Sequence, residues 1–467
     1  MSNKPRRGRS RTVALLLTLL VLLGGSFIYG YVCSAWKLPP YSLVRKASLR
    51  ADRQAWVGDL ENFIRENFAE RRREPGRWWP ADTPGAGNGL NADQQAARER
   101  LLALGYLSGY EESTGQENVT RFEPGAVHEG LNLFTSGHAQ AAYLMDMRGQ
   151  IIHEWTHDFF RVFPEHKGPR SGENIDFWRR AHLFENGDLL AIYEGFGLIK
   201  LDKDSNLIWA NPLGFHHDLF LGKNGEIYTL THKAKVIPTI HKYEPVLEDF
   251  ITILDPDGNV VREVSLLEAF QRSSFASFLD KMPRSGDIFH TNTIEVLDGS
   301  NVERSPIFKK GNVLISVLGM NVVAIVDMDT ESVVWGLSGQ WKRQHQPTLL
   351  DNGHLLVFDN LGNRGMSKVV EIDPLTQQIV WLYEGTEENA FRSRTCGSNQ
   401  RLANGNTLIT ESDRGRAFEV TPDKRIVWEY YNPARAGERD ELVATLFEMV
   451  RLDSDFPTAW LEDKHVH

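Results

Sequence analysis

From about residue 130 the chain repeats itself, and a repeat too small to bury both of its faces alone constrains the fold more than any other feature. One unit reads as a short strand, a turn built on Asn-Gly, an apolar strand, a further strand, then a turn and a strand ending in Trp. The first half reads Glu185-Asn186-Gly187-Asp188-Leu189-Leu190 and returns at 223–228, 310–315, 351–356 and 403–408. The second half runs from Leu144-Met145-Asp146 to Trp155 and from Lys200-Leu201-Asp202 to Trp209. It returns at Ile253-Leu254-Asp255, at Ile325-Val326-Asp327 with Trp335, at Glu371-Ile372-Asp373 with Trp381, and at Glu419-Val420-Thr421 with Trp428. Asn-Gly supplies the positive φ of tight hairpin turns, and the β-branched runs suit strands covered on both sides. Six units of roughly 30–50 residues match the blades of a propeller. The second half appears once before the first complete unit, the offset that ring closure by strands from both chain ends produces. Residues 446–452 can supply the closing strand. The expected fold is an all-β, six-bladed β-propeller over 126–467, in which Asp146, Asp202, Asp255, Asp327 and Asp373 initiate turns and the repeated Trp residues pack the blades.

Ahead of the repeats the character differs. Residues 1–12 carry Lys4, Arg6, Arg7, Arg9 and Arg11 and no acid, and 13–32 are free of charge. Twenty such residues span ~30 Å as a helix, enough for a bilayer core. A transmembrane anchor with a cytoplasmic basic tail is expected, placing the rest outside the cytoplasm by the positive-inside rule. In a bacterium that is a single-pass inner-membrane protein with a periplasmic propeller. Residues 33–125 read as a helical membrane-proximal linker, with helices at 42–69 and 92–107. Arg77, Trp78 and Trp79 fit either a solvated helix end or lipid headgroups. The 52 basic against 62 acidic residues give a net charge of −10, which argues against a nucleic-acid partner. Two cysteines, Cys33 and Cys396, cannot build a disulfide scaffold or a Cys-rich zinc site.

Histidines recur where the innermost strand of each blade lines the channel. His217 stands eight residues before Gly225 and His345 eight before Gly353. His290 opens the corresponding strand of the blade between them. His182 stands five residues before Gly187, and His216 adjoins His217. Repeat symmetry should gather them near the axis. Imidazoles in such a channel can bind a transition metal, shuttle protons or carry a group covalently. Arg364, after the second strand of the fifth blade, suits an anion held bidentately. Arg343, Arg179 and Arg180, which precede His345 and His182, either add positive field there or, as arginines more often do, read as surface charge.

The segment Asp287-Ile288-Phe289-His290-Thr291-Asn292-Thr293-Ile294-Glu295 resembles a motif of the bacterial arylsulfotransferase family. So do Gln344-His345-Gln346-Pro347, Phe358-Asp359-Asn360 and Arg364, which resemble that family's second histidine, its Phe-Asp-Asn strand and its arginine. The likeness covers roughly 130–460. It implies transfer of sulfuryl groups between phenolic sulfates and phenols without a nucleotide donor, with His290, His345 and Arg364 polarising the sulfate. It also implies a further histidine in the last blade as the covalent carrier. Here no histidine falls between His354 and His465, and the stretch reads Glu411-Ser412-Asp413-Arg414-Gly415-Arg416. Another imidazole, such as His217 or His290, must take that part, or the chemistry differs. The resulting expectation makes His217, His290, His345 and Arg364 catalytic and His182, His216 and Arg414 substrate-binding, with small aromatic sulfates and phenols as partners and no cofactor. A non-catalytic ligand-binding or scaffold propeller remains open, as does a lyase or hydrolase using a divalent metal on His182, His217, His290 and His345.

Overall fold

The computed structural model describes residues 110–112, 115–166, 174–386, 389–436 and 442–461. The expected anchor at 13–32 and the helices at 42–69 and 92–107 lie outside these residues. Among the described residues no helix is long and apolar enough to cross a membrane.

Six sheets carry the fold, each built on four antiparallel strands, which in blades two to six run in sequential order. The first blade begins with Leu446–Asp453 from the chain's end, followed outward by Gly130–Ser136, Ala141–Met145 and Ile151–Thr156. Its register, Val450 opposite Leu133 and Arg451 opposite Asn132, is the closure expected from the offset repeats. The innermost strands of blades two to six are Arg180–Leu183, Phe215–Leu221, Thr291–Val296, His345–Leu349 and Ser398–Arg401. Two short additions complete the sheets. Gly286–Asp287 runs parallel to the third strand of blade three, and Asn118–Phe122 adds a fifth strand to blade six from within the stretch read as linker.

The core is distributed rather than central. Six apolar clusters each lie between two neighbouring blades, for example Leu230, Ile251 and Val264 of blade three against Ile315, Val317 and Ala324 of blade four. Strands such as Val322–Asp327 are therefore covered on both faces, which is why they read as unbroken β-branched runs. The Trp residues join blades as well: Trp155 Nε1 donates to the Gly187 carbonyl of the next blade at 3.0 Å, Trp381 to Pro422 at 2.9 Å and Trp428 to Met147 at 2.9 Å. Gly187 holds φ at 89°, and a Cβ there would lie 2.6 Å from the Trp460 ring, so the turn requires glycine twice over. The expected aspartate turns are present: Asp146 Oδ1 accepts from the Arg148 and Gln150 amides at 2.8 Å each.

Polar links between innermost strands close the ring. Arg180 pairs with Glu448 of blade one and, at 2.9 Å, with Asp218 of blade three. Asp218 accepts the Ile294 amide at 3.0 Å, Thr293 Oγ1 accepts the Gln346 amide at 3.0 Å, and Asn399 donates to the Gln346 carbonyl at 3.0 Å. Gln400 accepts the Arg451 amide at 2.8 Å, returning to blade one. At that seam the Arg451 guanidinium is fully buried with Glu419 at 3.0 Å and donates to Asn132 at 2.7 Å. Replacing Arg451 with Met strands the Glu419 charge, and the expected loss is about 3–5 kcal/mol of stability. A urea denaturation midpoint would show it. Arg451→Met combined with Glu419→Leu should recover much of that loss, and equal damage in the single and double variants would count against a charge-pair clamp.

Candidate functional site

Four of the six innermost strands are bulged at one end. Register shifts fall between Leu446 and Glu448, His216 and Leu219, Thr291 and Thr293, and His345 and Thr348. Beside them, His217, His290 and Cys396 hold positive φ of 58°, 49° and 49°. Left-handed backbone at non-glycine residues costs about 1–3 kcal/mol each and concentrates at functional sites; bulges re-aim side chains in the same places.

The bulges gather the imidazoles as repeat symmetry demanded. The His217 and His290 rings lie 4.8 Å apart between centroids, tilted by 68°. His345 is close enough for His290 to bear on its charge: burial lowers its pKa to about 3, with Arg179 and His290 adding to the effect. His217 is likewise pushed well down, by burial first and then by His290, His216, Arg179 and His345. All three histidines belong to separate blades. The structure thus brings His217, His290 and His345 into one electrostatic unit.

Each is held by a different partner. The Asp287 carboxylate takes the His290 amide at 2.8 Å and Nδ1 at 2.7 Å. Asp287 is held below the usual carboxylate range by His290, against the opposing effect of burial. The His345 Nδ1 faces Asn360 Oδ1 at 2.8 Å and the Arg343 carbonyl at 3.2 Å. Asn360 spends its amide donors on the Ser393 and Cys396 carbonyls at 2.9 and 2.7 Å, so its oxygen faces the ring. Both partners of His345 Nδ1 are therefore acceptors; the proton sits on Nδ1 and Nε2 keeps its lone pair. The His217 Nδ1 lies 2.8 Å from His216 Nδ1 and 3.2 Å from Glu194, whose other oxygen takes the His217 amide at 3.0 Å.

The positive charge that reaches these rings is Arg179, not Arg364. Arg179 is 3% exposed, lies over the Phe447 ring at 5.4 Å and leaves its buried Nε without a hydrogen-bond partner. Arg180 beside it is buried too and consumed in the ring closure. The reading of both as surface charge is corrected: bulk water is replaced here by the inner ends of the blades. Arg364 stands exposed at the turn joining Leu355–Asn363 to Met366–Ile372. Its guanidinium forms no hydrogen bond or ion pair among the described residues. Arg414 is half-exposed and turned to Glu411 at 3.7 Å. His182 sits deeper on its strand, against Phe184, with its pKa lowered to about 4 by burial alone. His216 is buried behind His217.

One signal could have found Arg179. It stands eight residues before Gly187, the same offset as His217 and His345 from their glycines, whereas His182 is three residues too late. At the corresponding end of blade six stand Cys396 and Gly397. Cys396 is buried and unbridged, and its thiol pKa is pushed up to about 11 by burial. Glu194, Asp287 and Asn360 support the ring from other strands and loops, with no marker in the repeat.

The family model described as Arylsulfotransferase (ASST) matches residues 182–433. No curated protein matches the sequence. Among solved structures, the chain is similar to a protein of unknown function from Bacteroides caccae, at 13% identity and a TM-score of 0.47 over 69% of this chain and 98% of that one. It is also similar to a streptogramin B lyase (16% identity, TM-score 0.41, 73% and 97% coverage) and to virginiamycin B lyase from Staphylococcus aureus (12%, 0.39, 73% and 98%).

Proposed function

This chain belongs to the arylsulfotransferase family, and from that premise we propose that it moves a sulfuryl group from an aryl sulfate to a phenolic acceptor at the bulged end of the propeller. The observation that carries the reading is the convergence of three imidazoles from three blades with a buried guanidinium that forms no ion pair among the described residues, although its charge bears on Glu194. An anion with several acceptor oxygens completes such a site: it supplies the missing partner of Arg179 and accepts from protonated imidazole.

The division of labour follows from the second partner of each ring. His345, neutral and protonated at Nδ1, offers the Nε2 lone pair to sulfur. As the N–S bond forms, the S–O bond to the aryl group breaks. His290, oriented by the Asp287 carboxylate, acts as the general acid and gives a proton to the departing phenolate. The acceptor phenol then returns a proton to His290 as its oxygen attacks the sulfur and releases His345. Arg179 neutralises the equatorial oxygens throughout, as in phosphoryl transfer, where electrostatics carries most of the catalysis. His217, tied to Glu194 and His216, lines the site rather than entering the covalent step. This assignment replaces the absent last-blade histidine with one from blade five. The basic flank and apolar run at 1–32 support a location on the periplasmic side of the inner membrane.

The test is transfer from an aryl sulfate to a second phenol, followed in the wild type and in His290→Ala and His345→Ala. Transfer by the wild type and its collapse in both variants is the expected result. Transfer undiminished in both would remove the site assignment, and no transfer by a folded wild type across a panel of phenols would favour a binding propeller.

A further inference from the structure

Directly behind the proposed sulfuryl site, blade three carries a second cluster that the transfer chemistry does not use. His216 lies on its innermost strand, His232 on the next and Asp249 on the third, with His232 and Asp249 directly paired in the sheet. The three are 2%, 7% and 1% exposed. The two imidazoles stack, centroids 4.8 Å apart and planes 22° from parallel. Both Nε2 atoms are buried without a hydrogen-bond partner among the described residues. Asp249 Oδ1 is 3.9 Å from His216 Nε2, and one ligand atom from each residue falls within 4.8 Å of the other two. Asp249 Oδ2 is occupied, accepting the Thr291 amide at 2.7 Å.

We infer that His216 Nε2, His232 Nε2 and Asp249 Oδ1 form a binding site for a divalent transition metal of the zinc class. Two buried nitrogens with no partner are costly unless something accepts their lone pairs. A carboxylate facing them inside the protein calls for positive charge. Two imidazoles and one carboxylate are a donor set suited to Zn²⁺ and its neighbours, and not to Mg²⁺ or Ca²⁺, which favour oxygen. For bonds of about 2.0–2.2 Å the three atoms must draw closer, and the two rings must turn out of their stack so that both in-plane lone pairs meet one ion. The ligands stand on three adjacent strands of one sheet, so the backbone holds the site before the ion arrives. The second shell is in place as well. A metal on Nε2 leaves the His216 proton on Nδ1, where the His217 Nδ1 accepts it at 2.8 Å. Asp249 is tied through Thr291 to the residue after His290. The ion would thus brace two walls of the channel from behind, and its ligands are not the set drawn one per blade that the sequence left open.

The experiment needs no substrate, so it is independent of the sulfuryl-transfer reading. The purified full chain is stripped with a chelator, then titrated with Zn²⁺ by calorimetry and with Co²⁺ by visible absorption. One ion per chain is expected, with Co²⁺ giving ligand-field bands and Zn²⁺ raising the melting temperature. His232→Phe keeps the ring stack but removes the nitrogens, and should weaken binding by at least about 100-fold. Glu194→Gln should bind within a few-fold of wild type. Loss of binding in Glu194→Gln with retention in His232→Phe would move the ion to the Glu194, His216 and His217 group and overturn the assignment. A folded, chelator-treated wild type that takes up neither ion would overturn it outright.

Discussion

Replacing Arg179 with Met is expected to lower kcat/KM for an aryl sulfate about 10³-fold, in the range set by removal of an oxyanion donor or an arginine that neutralises a transferring group. The same change should raise the melting temperature. Arg179 is a buried cation whose guanidinium forms no ion pair among the described residues, and such a group costs stability unless a ligand supplies its counter-charge. Methionine keeps the contact with Phe447 and removes the charge. Loss of activity with a gain in stability distinguishes an anion clamp from a structural arginine, whose removal would lower both. Arg179→Lys restores charge without the planar fork and should recover part of the loss. Arg364→Ala, at an exposed turn, should leave kcat/KM within about twofold. If Arg364→Ala instead proved as damaging as Arg179→Met, the clamp would belong where the family motif put it. A drop in melting temperature for Arg179→Met would mark that residue as part of the frame.

That contrast shows what a single sequence can carry. The ring was legible because repetition is a one-dimensional signal: Asn-Gly turns, Asp-initiated turns and closing Trp residues recur at fixed offsets, and each offset maps to a place in a blade. His217 and His345 were legible for the same reason, and Arg179 obeys the same offset from Gly187. Its role is masked in the sequence because the nearby His182 resembles the repeat's imidazole and because adjacent arginines usually mark a surface. Arg364, which the motif sets at the sulfate, stands exposed at a hairpin tip, since a motif fixes the order of residues but not how far a hairpin carries its tip into water. Glu194 and Asp249 were not legible at all, and Asp287 and Asn360 only as members of a motif with no role attached. Their work is to hold another side chain in one tautomer or orientation, across a bulge or between strands, and neither spacing nor composition encodes that. The absent last-blade histidine was visible as a departure, yet its replacement depends on which imidazole has two acceptors on Nδ1.

His345 is where that dependence becomes measurable. His345→Ala should abolish double-displacement transfer, a loss of about 10⁴-fold or more, comparable to removing the nucleophile of a catalytic triad. The wild type, mixed rapidly with an aryl sulfate and no acceptor, should release one equivalent of phenol in a burst and gain one sulfuryl group on a peptide containing His345. Asn360→Leu leaves that nucleophile in place but frees its tautomer and ring. It should lower kcat far more than it changes KM, because the lost factor is the fraction of rings presenting an Nε2 lone pair. The pH dependence carries the same signature. With its pKa lowered to about 3, chiefly by burial, His345 remains an unprotonated nucleophile through the whole neutral and mildly acidic range. An acid limb in the rate would then report another group, not this one. The linkage sign is also fixed. A histidine whose folded pKa lies below its unfolded value near 6.5 contributes stability in full above that value, and the contribution is lost as pH falls toward 3. His345→Gln should therefore flatten the fall in melting temperature between about pH 6.5 and 4 relative to wild type. A labelled sulfuryl group found on His217 or His290 instead, with a normal burst in His345→Ala, would return the covalent step to one of the other two imidazoles.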